Sequence, residues 1–165
     1  MKHTVEDVIK YVEENDVKFV RLAFLDVFGV MKNISIMSSE LRKAFEQGVN
    51  IVPSSIDGFE GAGSDLRLFP DPTTLRILPW RPHNGRVARL LCTIKRPDGS
   101  TFDGDVRNVL KRAVLDAQNE GLDIRAGLSC EFYLFLLDEN GKPTKVPHDQ
   151  AGYLDIAPLD KGENI

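Results

Sequence analysis

The sequence predicts an α+β fold, and three observations carry the prediction. A charged amphipathic segment at residues 4–14 has the pattern of a helix. Two short strands with a tight connection follow within residues 17–38. A second amphipathic helix begins at Asp105 and is followed by a strand and a turn. A hairpin, then a helix, then further strands is the order of an α+β domain.

Each element has a local reason. Thr4 is placed to cap the first helix, with Asp7 at the reciprocal capping-box position. Val5, Val8, Ile9 and Val12 line one face, and Asn15-Asp16 ends it. VKFVRLAFLD and VMKNISIM then read as strands, and the intervening VFG is short enough for a hairpin. Ser38 or Ser39 is expected to cap a short helix through Phe45, stopped at Gly48. Residues 50–64 hold Pro, Gly and small polar residues. They read as a long loop, either a mobile connector or a functional segment. TLRILPW follows. GRVARLLCTIKRPDGSTF reads as a strand, a Pro-Asp-Gly turn and a short returning strand. In the helix after Asp105, Val106, Val109, Leu110, Ala113, Val114 and Ala117 recur at helical spacing, and Gly121 closes it. A strand carrying Glu131 is expected next, turned back by DENGKP. Near the end, Asp160 and Glu163 stand as cap and capping-box partner of a helix start.

Composition narrows the function classes. The 165 residues suffice for one domain, or a small domain plus part of another. At 42% apolar and 28% charged, the chain is neither disordered nor fibrous. No apolar run approaches the roughly 20 residues a membrane helix needs, and the charged N-terminus is no secretory signal. A net charge of −4, with basic residues only in pairs, argues against nucleic acid as a partner. Cys92 and Cys130 lie in apolar stretches and are expected to be reduced core thiols of a cytoplasmic protein. No CxxC is present, and His3, His83 and His148 share no ligand spacing.

Glu131, in AGLSCEFYLF, precedes an apolar, aromatic run. A carboxylate there sits at an exposed strand end, pairs with an arginine, or serves as one ligand of a hard-metal site. The residues alone leave the three open.

Six phrases in order, RLAFLDVFGVMKNISI, SSIDGF, DLRLFPDPTTLRILPW, GRVARLLCTIKRPDGSTFDGDVR, CEFYLFLLDENGKPT and GYLDIAPLDKGEN, resemble the N-terminal part of bacterial type I glutamine synthetases, from about Val17 to Ile165. The resemblance implies a β-grasp-like N-terminal domain at residues 1–103 and the incomplete beginning of a catalytic domain at 104–165. Family members assemble as rings, with the β-grasp domain of one subunit closing the funnel-shaped site of the next. They use ATP and two Mg²⁺ or Mn²⁺ ions to join ammonia to glutamate. The metals spread the charge of the transferring phosphoryl group.

The resemblance also assigns residues. Glu131 matches the second glutamate of a strand pair that holds the metals; Ser129 stands where the first is expected. Ser54 and Ser55 match serines of the family's ammonium loop, but Val52 stands where its aspartate is expected. A serine hydroxyl is a weak ligand for a hard cation, and valine neither attracts ammonium nor accepts its proton. Asp57 lies five residues on and would substitute only with a rearranged loop. The chain ends where the family's next helix begins. It is therefore expected to bind metal weakly at best and to be inactive alone. The alternative is a non-catalytic relic that docks onto intact glutamine synthetase subunits. A C-terminal strand hairpin without its sheet leaves an apolar edge, so self-association is expected.

Overall fold

The computed structural model describes residues 3–80 and 85–162. These form two compact units, one up to Ile124 and one from Arg125 onward.

The first unit is built on a mixed sheet. Its elements are α1 (Val5–Glu14), β1 (Val17–Leu25), β2 (Met31–Met37), α2 (Leu41–Gln47), β3 (Val49–Ile51), β4 (Leu66–Pro70), β5 (Arg76–Ile77), β6 (Arg86–Lys95) and α3 (Val106–Asn119). The strand order is β2-β1-β6-β4-β3, with β5 also on β6. β1 and β6 run parallel; every other pairing is antiparallel. Period-two patterning decides the buried face. Val20, Leu22 and Phe24 of β1, Leu66 and Leu68 of β4, and Ala88, Leu90, Cys92 and Ile94 of β6 all enter one core. Val8 and Val12 of α1 and Leu41 and Ala44 of α2 join them.

Local signals explain most boundaries. Thr4 and Asp7 form the capping box on α1, and Asn15 is its C-cap. The β1–β2 connection is organised by Asp26, 1% exposed, whose Oδ1 accepts from the N–H groups of Phe28 (3.0 Å) and Val30 (2.9 Å). Gly29 there adopts φ 79°, a conformation glycine tolerates without strain. Asp105 caps α3, and Gly121 follows its end with φ 76°.

The structure corrects several expectations. No serine caps α2: residues 38–40 form a 3-10 turn, and Glu40 stands at the cap without a side-chain hydrogen bond. β4 is an addition, a strand between two loops whose flanking prolines and aspartates hid its alternation. The segment TLRILPW yields only the two residues of β5, and the strand after the Pro-Asp-Gly turn shrinks to one bridge between Lys95 and Thr101. The apolar stripe of α3 has no fully buried member, and Leu110 is exposed.

The second unit holds a hairpin of β7 (Phe135–Leu137) and β8 (Pro143–Pro147). Asp138 Oδ1 closes the turn by accepting from the N–H groups of Asn140 and Lys142. Residues 123–134 join no ladder, so Glu131 is not on a strand: extended backbone becomes a strand only beside a partner, and none of the described strands pairs with it. Cys130 is likewise exposed rather than in a core. Asp160 Oδ1 accepts from the Gly162 N–H, while Glu163, its expected capping partner, lies outside the described residues, as does His83.

Candidate functional site

The segment from Val52 to Asp65 is a packed loop with turns of its own. Two 3-10 turns, Pro53–Ser55 and Glu60–Ala62, give it internal order. Ser55 N–H donates to Val52 O and Ile56 N–H to Pro53 O at 2.9 Å. Phe59 N–H donates to Ile56 O and Ala62 N–H to Phe59 O. Ile56 and Phe59 are the anchors. Phe59 is wholly buried, its ring 4.9 Å from that of Phe102 in an edge-on contact and 6.4 Å from that of Phe24. Gly58, at φ 84°, lets the loop pass against Val27; any Cβ there would strike the valine methyl.

Anchoring one face leaves the other outward. Val52, Ser54 and Ser55 are exposed, and Val52 shows over half of its surface. Val52, Ser54, Glu60, Gly63 and Asp65 line an open hollow of about 280 Å³. The structure thus gathers the two sequence-predicted serines on one anchored loop and adds two carboxylates, Glu60 and Asp65. Sequence reasoning passed over both because they lie beyond the Gly58 turn. Asp57 lies exposed at that turn, outside the hollow.

Glu131 belongs to the second unit and is exposed. Among the described residues no group of three or more His, Cys, Asp or Glu side chains is placed to hold a metal ion. One exposed carboxylate does not fit a divalent cation, which takes several oxygen ligands at once.

A second polar cluster was not foreseen. Asp105, 2% exposed, accepts from the Ile94 N–H through Oδ2 and the Arg107 N–H through Oδ1, both at 3.0 Å, and so fastens α3 to β6. Arg107 Nη2 donates to Asp71 Oδ2 at 2.9 Å, and Asp71 also accepts from the Thr73 N–H and hydroxyl. Buried Cys92 feels the charges of all three. Burial outweighs the pull of Arg107 and pushes its thiol up to about 12, so it stays a thiol and an inert core residue.

Asp71 and Asp26 are two of the carboxylates that contribute to the acid response. Burial works against the ionised form of Asp71, but the Thr73 hydroxyl, Arg107 and the Thr73 N–H outweigh it and hold the carboxyl below its ordinary value. Burial likewise opposes Asp26, outweighed by the Val30 N–H, Lys32 (3.3 Å) and the Phe28 N–H. Both bind a proton more weakly folded than unfolded. Their contribution is therefore complete above the unfolded value of about 3.9 and is lost as pH falls through the lowered folded values. Urea unfolding at a series of pH values should show Asp71→Asn less stable than wild type at pH 7. The two curves should converge in acid; a constant gap down to pH 2 would refute the assignment.

A family model described as the glutamine synthetase β-grasp domain matches residues 16–97, and one described as the glutamine synthetase catalytic domain matches 103–165. A glutamine synthetase of Clostridium saccharobutylicum is 49% identical over 99% of this chain, and one of Methanosarcina mazei is 48% identical over 98%. The chain spans about 37% and 36% of those two relatives. Among solved structures, a Plasmodium falciparum glutamine synthetase superposes on 72% of this chain, 23% of its own, with TM-score 0.64 at 22% identity. A GmaS/ADP complex superposes on 73% of this chain, 26% of its own, with TM-score 0.61 at 21% identity. The structural likenesses speak to fold alone. No helix among the described residues is long and apolar enough to cross a membrane.

Proposed function

This chain belongs to the glutamine synthetase family, as the β-grasp domain with the start of the catalytic domain, and from that premise we infer that it contributes part of an ATP-dependent ligase site without completing one. The parent reaction is amide formation on glutamate, with ammonia or another amine as the acceptor and Mg²⁺ or Mn²⁺ as the ions of the whole enzyme. We take 1–103 as the β-grasp domain and 104–165 as the start of the catalytic one, which the family matches to 16–97 and 103–165 support, although the compact units divide after Ile124. The setting is the cytoplasm.

The observation that carries this reading is the loop of Ser54 and Ser55. It is anchored from below by buried Ile56 and Phe59, while Val52, Ser54 and Ser55 on its outer face are exposed. Such a surface is suited to closing a site on another subunit. Val52 at its start removes the charge an ammonium ion would seek, which fits a bulkier amine or an inactive descendant equally. The exposed stripe of α3, with Val109 and Leu110, supports a second reading: a non-catalytic partner of intact synthetase subunits, or of its own kind.

The test is direct. Purified chain supplied with ATP, glutamate, ammonia and Mn²⁺ should release no glutamine or phosphate above background; turnover would overturn the inference. Titration with Mn²⁺ should show weak binding, little changed by Glu131→Ala. Tight, stoichiometric binding lost in that variant would restore Glu131 as a working ligand.

A further inference from the structure

The two edges of the main sheet are protected unequally. β3 is three residues long and runs into Pro53, which has no N–H to offer. β2 is seven residues long, holds neither Pro nor Gly, and pairs with β1 in unbroken register. Its single charge is Lys32, and that ammonium is turned back to Asp26 Oδ2 at 3.3 Å. Among the described residues no strand lies on the far side of β2. Natural edges of this length usually carry a bulge, a proline or an outward charge, and β2 carries none of them.

The phase of its free groups follows from the hairpin. Asp26 N–H donates to Val30 O, which makes 26 and 30 a hydrogen-bonded pair. Counting along the ladder, Lys32, Ile34 and Ile36 turn their main-chain groups to β1. Met31, Asn33, Ser35 and Met37 turn theirs to the open edge.

We propose that this edge pairs antiparallel with β2 of a second copy of the chain, in a register centred on Ile34. That register sets Met31 against Met37 of the second copy and Asn33 against Ser35, on the solvent face. On the core face it sets Ile34 against its own equivalent and Lys32 against Ile36. Apolar meets apolar and amide meets hydroxyl at the outer positions. The odd-numbered residues fall in hydrogen-bonded pairs, as their outward N–H and C=O groups require. No like charges face each other, because Lys32 is matched within its own copy. Ile34 and Ile36 already pack partly against the core, so pairing continues that core across the dyad. The inference rests on the edge alone and stands apart from the family's chemistry.

Light scattering on the purified chain should show a dimer. Ser35→Pro removes one outward N–H that β1 does not use, so the fold should persist by circular dichroism while dimer affinity falls at least about tenfold. As a second readout, Ile34→Cys in a Cys130→Ser background should form a disulfide-linked dimer under mild oxidant, since the dyad brings the two Cα atoms to about 4.5 Å. A monomer at about 100 μM, where a micromolar contact saturates, would overturn the proposal. So would self-association that Ser35→Pro leaves intact, which would move the contact to another surface such as the β7–β8 hairpin.

Discussion

Phe59→Ala should unfold more of this protein than any other single truncation in the loop that carries Ser54 and Ser55. Phe59 is fully buried between Phe24 and Phe102, so its removal leaves a cavity under a segment with few other anchors. Truncating a buried phenylalanine costs about 3–5 kcal/mol. Two consequences are separable. Global stability should drop by that amount in urea unfolding, and amide exchange of residues 52–62 should accelerate beyond the global change, because the loop loses its hold on the sheet. Phe59→Leu should recover most of the stability. A loss below 1 kcal/mol for the alanine variant would mean that Ile56 suffices as the anchor.

Asp105→Ala is expected to be the second large effect, about 3 kcal/mol. It strips an N-cap, worth about 1 kcal/mol, and leaves the buried Ile94 N–H without its charged acceptor, worth about 1.5–3 kcal/mol. Asp105→Asn should rescue little, because both carboxylate oxygens accept and an amide offers only one acceptor; its NH₂ would face a donor. Thermal unfolding of the three proteins measures this. An asparagine variant as stable as wild type would show that one of the two bonds contributes nothing.

How much of this was legible in the sequence depends on the range of the forces involved. The capping box of Thr4 and Asp7, the short VFG connection, the cap at Asp105 and the stop at Gly121 are local, and local chemistry is written in consecutive residues. β4 was missed because its alternation spans only five residues and gains its meaning from pairing with β3 and β6, both distant in sequence. Ser54 and Ser55 entered through resemblance, and the structure added what anchors their loop: buried Phe59 and the left-handed Gly58. Glu131 illustrates the opposite limit. Its sequence surroundings are those of a strand, but a strand needs a neighbour, and none of the described strands supplies one. The Asp71–Arg107 pair joins residues on separate elements, and no spacing rule connects them.

The centre of the sheet has a consequence for how the protein comes to be folded. β6 is its middle strand and lies beside β1, yet Val17 pairs with Arg86 and Ala23 with Leu91. The chain between must be gathered before that ladder can close, and a parallel pair has no hairpin to start it. Rapid local events, α1 and the β1–β2 hairpin, therefore precede the slow step that makes them permanent. On a ribosome, Val20, Leu22 and Phe24 emerge early and wait for Leu90 and Cys92. The interval before those residues arrive is when the nascent chain is most exposed to chaperones and to other nascent chains.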